Sequence, residues 1–401
     1  MTREICLWTL LLVLTASARS SVNLALIIDH SSALSASILV HSIIWKSATL
    51  NTDYNFYVIA LEQGRNGTLA GMWEGYMSCY RKRSGLYFRT ILFEGLNPAL
   101  KGVCEGEIHI CARFYLPVLL EQYSVLRYVY LDNDAILTTD ISQLWETDMI
   151  PLVDWEEKPH VAKVAQRRSD RSSRLRDKKR KGELDPNTLK PKIMARFNHP
   201  YTRARPSSRQ LAATPEEPIV SFVWENHPQY QVYLQSHFNW TNPIVKKRLM
   251  TRADTLFFNA GVAVVQAEKW RKANITGWFE RLLLSNTMSA EDKTWNIFNF
   301  EGSGDQGAFS LAPQSWLGVI PEARWNMRRL PKKTLNLITT GENGIIHFAG
   351  MKGSNLGSLC LAAHEYPLLV TTGAINLLMD AVKSAKLTCT SLPPLPVSCM
   401  P

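Results

Sequence analysis

Arg127-Tyr-Val-Tyr-Leu-Asp-Asn-Asp-Ala-Ile-Leu137 decides how this chain is read. Four apolar or aromatic residues, Tyr128 to Leu131, run straight into Asp132-Asn133-Asp134. A short continuous apolar run suits a strand buried on both faces, and ligands of α/β sheets bind just beyond the carboxyl ends of the strands. Asp132 and Asp134 are two residues apart. They point the same way in regular β geometry, and from a turn both reach one divalent ion. Turns are rich in Asp, so the pair alone leaves a surface turn and a metal site both open. Carboxylate oxygens suit Mn²⁺ or Mg²⁺, which neutralises charge developing on a diphosphate leaving group.

Working outward, SVNLALIIDHSS (21–32) is an apolar run ending in Asp29 and small polar residues, and ALSASILVHSIIWKSA (33–48) has helical periodicity. NFYVIAL (55–61) and RTILFEG (89–95) are further strand candidates, and ICARFYLPVLLEQY (110–123) is helical, with Pro117 either bending it or limiting its first turn. DISQLWE (140–146) is a short amphipathic helix. Beyond it, TLFFNAGVAVVQAEKWR (255–271) is a strand interrupted at Asn-Ala-Gly, then a second strand and a helix. LNLITT (335–340) and GIIHFAG (344–350) are late strand candidates, the second ending at His347. The alternation of strands and helices favours an α/β sheet.

The chain has 401 residues, 46% of them hydrophobic, and a formal net charge of +10. That is enough apolar material for one large domain or two, and it excludes a wholly unstructured tail or a small cysteine-stapled module. The charge invites a nucleic-acid reading, but its distribution argues against one. Residues 163–192 hold 12 Lys or Arg against 4 Asp or Glu, leaving +2 for everything else. Residues 156–217 are therefore a basic, Ser- and Pro-containing surface insertion. Their KKRK run is read as solvated sequence, with contact to an acidic membrane surface as the alternative and no nucleic-acid partner.

Residues 1–20 carry an apolar run from Ile5 to Leu14, then Ala16-Ser17-Ala18. As a helix the run spans about 15 Å, half a bilayer core, so a cleaved secretory signal fits better than a short anchor or a buried segment. Six cysteines follow it: Cys79, Cys104, Cys111, Cys360, Cys389 and Cys399. An even count in an oxidising compartment permits disulfides, and no spacing suits a zinc site. The sequons at Asn66, Asn239 and Asn274 agree with secretion without testing it. Residues 361–401 form a peripheral helix and a Pro-rich tail.

In combination these motifs are more specific. LALIIDHSSALSASILVHSI, ICARFYLPVLL, YVYLDNDAILTTDISQLW, LFFNAGVAVVQAEKWR, GDQGAF and IIHFAG stand in the order found in the family 8 glycosyltransferases, and the chain resembles that family discontinuously from Leu24 to His347. The resemblance implies a Rossmann-like nucleotide-diphospho-sugar transferase fold of GT-A type, a mixed sheet flanked by helices, over 22–360. It implies a retaining enzyme that moves a hexose or pentose from a UDP-sugar to a glycan, glycoprotein or glycolipid acceptor, with Mn²⁺ as cofactor and Mg²⁺ as the alternative. The compartment would be the secretory lumen, Golgi or endoplasmic reticulum, or the secreted fraction.

By the same resemblance, Asp132, Asp134 and His347 would coordinate the metal, with Asn133 between the two carboxylates in the donor site. Asp29, Ser31 and Ser32 would face the base and ribose. Arg113 would approach the sugar–phosphate portion, and Asn259, Ala260 and Gly261 would hold the donor sugar. Asp305 and Gln306 would stand at the reacting carbon. Gly350 and Lys352 would contact the phosphates. Each has a plainer reading: Arg113 a solvated side chain, Asn259 a turn residue before a left-handed Gly261, Asp305 a helix cap, and His347 a half-buried structural histidine.

The chain departs from the family pattern in HFAGMKGSN (347–355), where the Lys comes one position early and Pro-Trp is absent. It departs again in Asp-Gln-Gly at 305–307 for the more usual Asp-Gln-Asp, and in DHSS, which lacks the common Asn-Tyr pair. These departures keep a second expectation in play, a catalytically weak relative that binds a nucleotide sugar or carbohydrate.

Overall fold

The computed structural model describes residues 20–152, 217–328 and 344–347, apart from short gaps at 48–51, 63–67, 82, 94, 97, 101–107, 226–232, 250–256, 292–293 and 300–303. The expected segments 1–19, most of the insertion 156–217, the strand candidate at 335–340, Gly350, Lys352 and the tail 361–401 lie outside the described residues.

The strands are β1 (Ser20–Ile28), β2 (Thr52–Ala60), β3 (Leu86–Leu92), β4 (Arg127–Leu131), β5 (Ala135–Leu137), β6 (Ile150–Pro151), β7 (Val220–Trp224), β8 (Phe258–Gln266), β9 (Leu317–Val319), β10 (Met327–Arg328) and β11 (Ile345–His347). The helices used below are α1 (Ala33–Lys46), α2 (Thr68–Met77), α3 (Ile108–Ala112), α4 (Leu116–Leu119), α5 (Ser142–Trp145), α6 (Pro243–Arg248), α7 (Ala267–Lys272), α8 (Ile275–Leu284) and α9 (Gly304–Ser310).

An eight-stranded sheet runs β3-β2-β1-β4-β8-β7-β9-β6, and a three-stranded sheet runs β10-β11-β5. Pairing is parallel from β3 to β4 and antiparallel across β4–β8 and β8–β7, so the sheet is mixed. Helices flank it on two hydrophobic layers. One gathers Phe114, Phe222, Phe279 and Phe309; the other gathers α1, Trp73 and Trp325. This is the Rossmann-like architecture expected from the sequence.

Helix α1 is buried around most of its circumference, between the large sheet and β5. Its serines survive there by bonding back along the helix: Ser35 Oγ to Ser32 O at 2.8 Å, Ser37 Oγ to Leu34 O at 2.6 Å and Ser42 Oγ to Leu39 O at 2.7 Å. Buried hydroxyls so paired cost little. Ser42 Oγ also accepts from Leu137 N at 3.1 Å, tying the helix to the small sheet.

One expectation is corrected. The strand broken at Asn259-Ala260-Gly261 is a single strand, β8, continuous from Phe258 to Gln266. Gly261 is not a left-handed turn residue, yet the pairing with β7 does break at this motif: Phe222 pairs with Ala263 and the next residue, Val223, with Asn259, so Ala260, Gly261 and Val262 are extra residues on β8. Cys79 and Cys111 each take part in a disulfide; Cys104, Cys360, Cys389 and Cys399 lie outside the described residues. The sequon at Asn239 is engaged in the fold, because its Nδ2 donates to Trp295 O at 2.8 Å and Asn296 O at 3.3 Å. Asn274 is exposed.

Candidate metal centre

The carboxyl ends of β1 and β4 place their following loops side by side. Asp132 N donates to Gly261 O at 2.8 Å, extending the β4–β8 ladder by one residue, and Asn133 Nδ2 donates to Ile27 O at 3.2 Å, fastening the acidic turn to β1. Directly after Asp134 the chain enters β5, whose antiparallel pairing with β11 sets His347 opposite Ala135. The register thus delivers the imidazole to the two carboxylates.

Ligand atoms of Asp132, Asp134 and His347 lie within 4.8 Å of one another. His347 Nε2 is 3.1 Å from Asp134 Oδ1 and 3.4 Å from Asp132 Oδ2. Neither Asp134 Oδ1 nor His347 Nε2 makes a well-aligned hydrogen bond, though both atoms are buried. Buried polar atoms are normally hydrogen-bonded, so two that meet each other without an aligned hydrogen bond, with a second carboxylate beside them, fit a divalent ion. His347 is 2% exposed, not half-buried. Burial disfavours its charged form, but the Asp134 and Asp132 carboxylates outweigh that and push its pKa up to about 9.

A second layer aims the imidazole. His347 Nδ1 lies 2.8 Å from Asn326 Oδ1, so an Nδ1–H donates there; without an ion the protonated ring turns its Nε2–H to the carboxylates, and in the neutral ring that a metal requires the same nitrogen would carry the lone pair. Asn326 Nδ2 donates to Asn259 O at 3.3 Å, which fixes the amide orientation. Asn259 in turn donates through Nδ2 to Glu225 Oε2 at 3.0 Å and accepts at Oδ1 from Gly261 N at 3.0 Å. The glycine is required by packing: a Cβ at Gly261 would stand 2.6 Å from His347 Nδ1 and 2.7 Å from Nε2.

Arg113 comes from a tightened helical turn. Pro117 has no N–H to give the Arg113 carbonyl, which instead accepts from Leu116 N, so the α-helix passes through a 3₁₀ turn at 113–115. Pro117 falls in the first turn of α4, the second of the two roles expected for it. Phe114 anchors this turn, stacked on Phe279 with centroids 4.0 Å apart. The guanidinium then bridges the carboxylates of Asp132 and Asp305 and lies over the Tyr130 ring, 4.7 Å from its centroid. It is a paired charge at the centre, not a solvated one. Burial opposes ionisation of Asp132, yet Arg113 and His347 hold its carboxyl below the usual carboxylate range. Burial pushes the Asp305 carboxyl up, against the pull of Arg113.

Asp305 lies in the first turn of α9 and accepts from Gln306 N at 2.8 Å; Gln306 Nε2 donates to Phe258 O at the start of β8. Asp305 is thus joined to the cluster through Arg113, and Gln306 follows it on the same helix. Asp29, Ser31 and Ser32 form a closed loop before α1, in which Asp29 Oδ1 accepts from Ser31 Oγ and Ser32 N, each at 2.8 Å. Ser32 is buried and Ser31 exposed. Ala260 is 4% exposed, within the hydrophobic layer.

Four residues were not singled out from the sequence. Tyr130 was legible, because alternation puts it on the same face as Asp132, and its hydroxyl donates to Asp132 Oδ1 at 2.7 Å. His109, one turn before Arg113, lies within electrostatic reach of Asp29, Asp132 and Asp305. Asn326 and Glu225 carried no local signal.

No protein family matches the chain, and no curated protein matches it. Among solved structures it is similar to the bifunctional glycosyltransferase WbbM, at TM-score 0.46 and 12% identity over 82% of this chain and 46% of that one. The chain thus spans about half the length of WbbM. It is also similar to the galactosyltransferase LgtC in complex with donor and acceptor sugar analogues, at 0.45 and 11% over 94% and 98%. Mouse xyloside xylosyltransferase 1 gives 0.43 and 13% over 82% and 98%. These values carry no argument about activity, which rests on the geometry above.

Proposed function

We propose that this protein is a retaining, metal-dependent glycosyltransferase of the family 8 kind, transferring a hexose or pentose from a UDP-sugar to a glycan, glycoprotein or glycolipid. The observation that carries the reading is the convergence of Asp132, Asp134 and His347 at the carboxyl edge of a nucleotide-binding type of sheet. Asp132, Asp134 and His347 would hold Mn²⁺, with Mg²⁺ as the alternative; the ion would supply positive charge to the departing diphosphate. Arg113, already buried between two carboxylates, offers a fixed guanidinium for phosphate oxygens or sugar hydroxyls. Asp29, Ser31 and Ser32 border the space for base and ribose, and the secretory lumen is the compartment that fits the leader and the donor.

Retention needs either two displacements or attack from the leaving-group face. Asp305 is tied to Arg113 and Gln306 Nε2 to a backbone carbonyl, which suits positioning better than nucleophilic attack. The favoured step breaks the bond from the anomeric carbon to the phosphate oxygen and forms the bond to the acceptor oxygen on the same face. The acceptor proton passes to the leaving phosphate, and the Gln306 amide borders the developing positive charge.

The test is nucleotide release by purified mature protein with Mn²⁺ and a panel of nucleotide sugars, UDP-glucose and UDP-galactose first. Release that is lost in Asp132→Asn and Asp134→Asn supports transfer. Saturable donor binding with no release across broad acceptors would make the chain a carbohydrate-binding relative instead.

A further inference from the structure

A second recess lies between α6 and α8, built from residues that take no part in the carboxylate centre. Asn242 starts α6, its Oδ1 accepting from Ile244 N at 2.7 Å and Val245 N at 3.4 Å. With Pro243 in the first turn, the helix sets Ile244, Lys247 and Arg248 on one face at i, i+3 and i+4. Helix α8 answers with Trp278, Arg281, Leu282 and Ser285 at i, i+3, i+4 and i+7. The two faces wall an open cavity of about 440 Å³.

Its chemistry is two-sided. Ile244, Trp278 and Leu282 give an apolar floor, and Ile244 is 47% exposed. Lys247, Arg248 and Arg281 stand around it, and none forms an ion pair among the described residues. A bare anion would leave the floor wet, and a neutral hydrocarbon would leave three cations without a counter-charge. A cavity of this volume is sized for one small molecule, the usual range being about 300–1,000 Å³. Six residues of α6 give about 9 Å of wall, under two turns, too short to seat the helix of a protein partner.

We propose that this recess binds a single anionic lipid, its acyl chain along Ile244, Trp278 and Leu282 and its acidic headgroup on Lys247, Arg248 and Arg281. The assignment is independent of the transfer chemistry, and so is its test.

The probe is dihexanoyl phosphatidic acid below its micelle concentration, titrated calorimetrically into the full-length protein. Dihexanoyl phosphatidylcholine and inorganic phosphate are the comparison ligands. The expected result is one saturable site for the anionic lipid, with both comparison ligands at least about ten-fold weaker. Lys247→Glu combined with Arg281→Glu, both exposed positions, should weaken the anionic lipid at least about ten-fold, and Ile244→Ser should weaken it without lowering Tm. Phosphate binding as tightly as the lipid would overturn the proposal, since charge alone, including that of residues 163–192, would explain it. Binding that ignores all three substitutions, or no binding, would also overturn it. An acidic apolar peptide that occupies the recess more tightly than the lipid would reassign it to a protein partner.

Discussion

At Gly261 a single methyl group decides whether the centre exists. Because a Cβ there would enter the His347 ring, Gly261→Ala should displace the imidazole, abolish Mn²⁺ binding in calorimetry and cost about 1–3 kcal/mol of stability. Asn326→Leu removes the acceptor for His347 Nδ1. Mn²⁺ affinity should fall about 10–100-fold, with Asn326→Asp, which keeps the oxygen, closer to the natural protein. An unchanged affinity in Asn326→Leu would show that the ring is aimed by packing alone. The ligands themselves were legible in the sequence because each sits in a local pattern, a strand running into an acidic residue or an imidazole. Asn326 was not, since it is marked out by contacts with residues 21 and 67 positions away. Glu225 is hidden in the same way, reaching Asn259 over 34 positions.

Among elements, α1 carries a titratable group with no part in the centre. His41 is 4% exposed, its Nδ1 against the Tyr80 hydroxyl, and burial lowers its pKa from 6.5 to about 4. Above pH 6.5 the imidazole is neutral in both folded and unfolded chains and adds no pH dependence. Between 6.5 and 4 the unfolded chain takes up the proton first, so stability should fall with pH across that window. Thermal melting of His41→Leu against the natural protein should show a shallower fall; parallel curves would remove His41 as the cause. Most strands and helices could be placed from periodicity, including β4, β11 and the helical stretch around Pro117. The error at β8 has a physical origin. Asn-Ala-Gly reads as a turn when the backbone is considered alone, whereas here the glycine answers a ring packed against it from another sheet, a demand that no local pattern records.

For the molecule as a whole, charge and fold are separable. Deleting residues 163–192 lowers the net charge from +10 to +2 and touches none of the strands or ligands described. The deleted protein should keep its Mn²⁺ affinity and melting temperature; a large loss of either would make the basic stretch part of the folded domain.

The pairing of β5 with β11 also sets an order of events. Two ligands reside near position 133, while the third arrives only with a three-residue strand some two hundred positions later, in a register where one step of slip would shift the ring by about 3.4 Å and turn it to the opposite face. Contacts of such long separation close late in folding. A chain cut short before Ile345 carries all eight strands of the large sheet but only two of the three candidate ligands. The third candidate ligand is thus added only after the strands of the large sheet have been made, and a chain truncated before it should bind Mn²⁺ weakly.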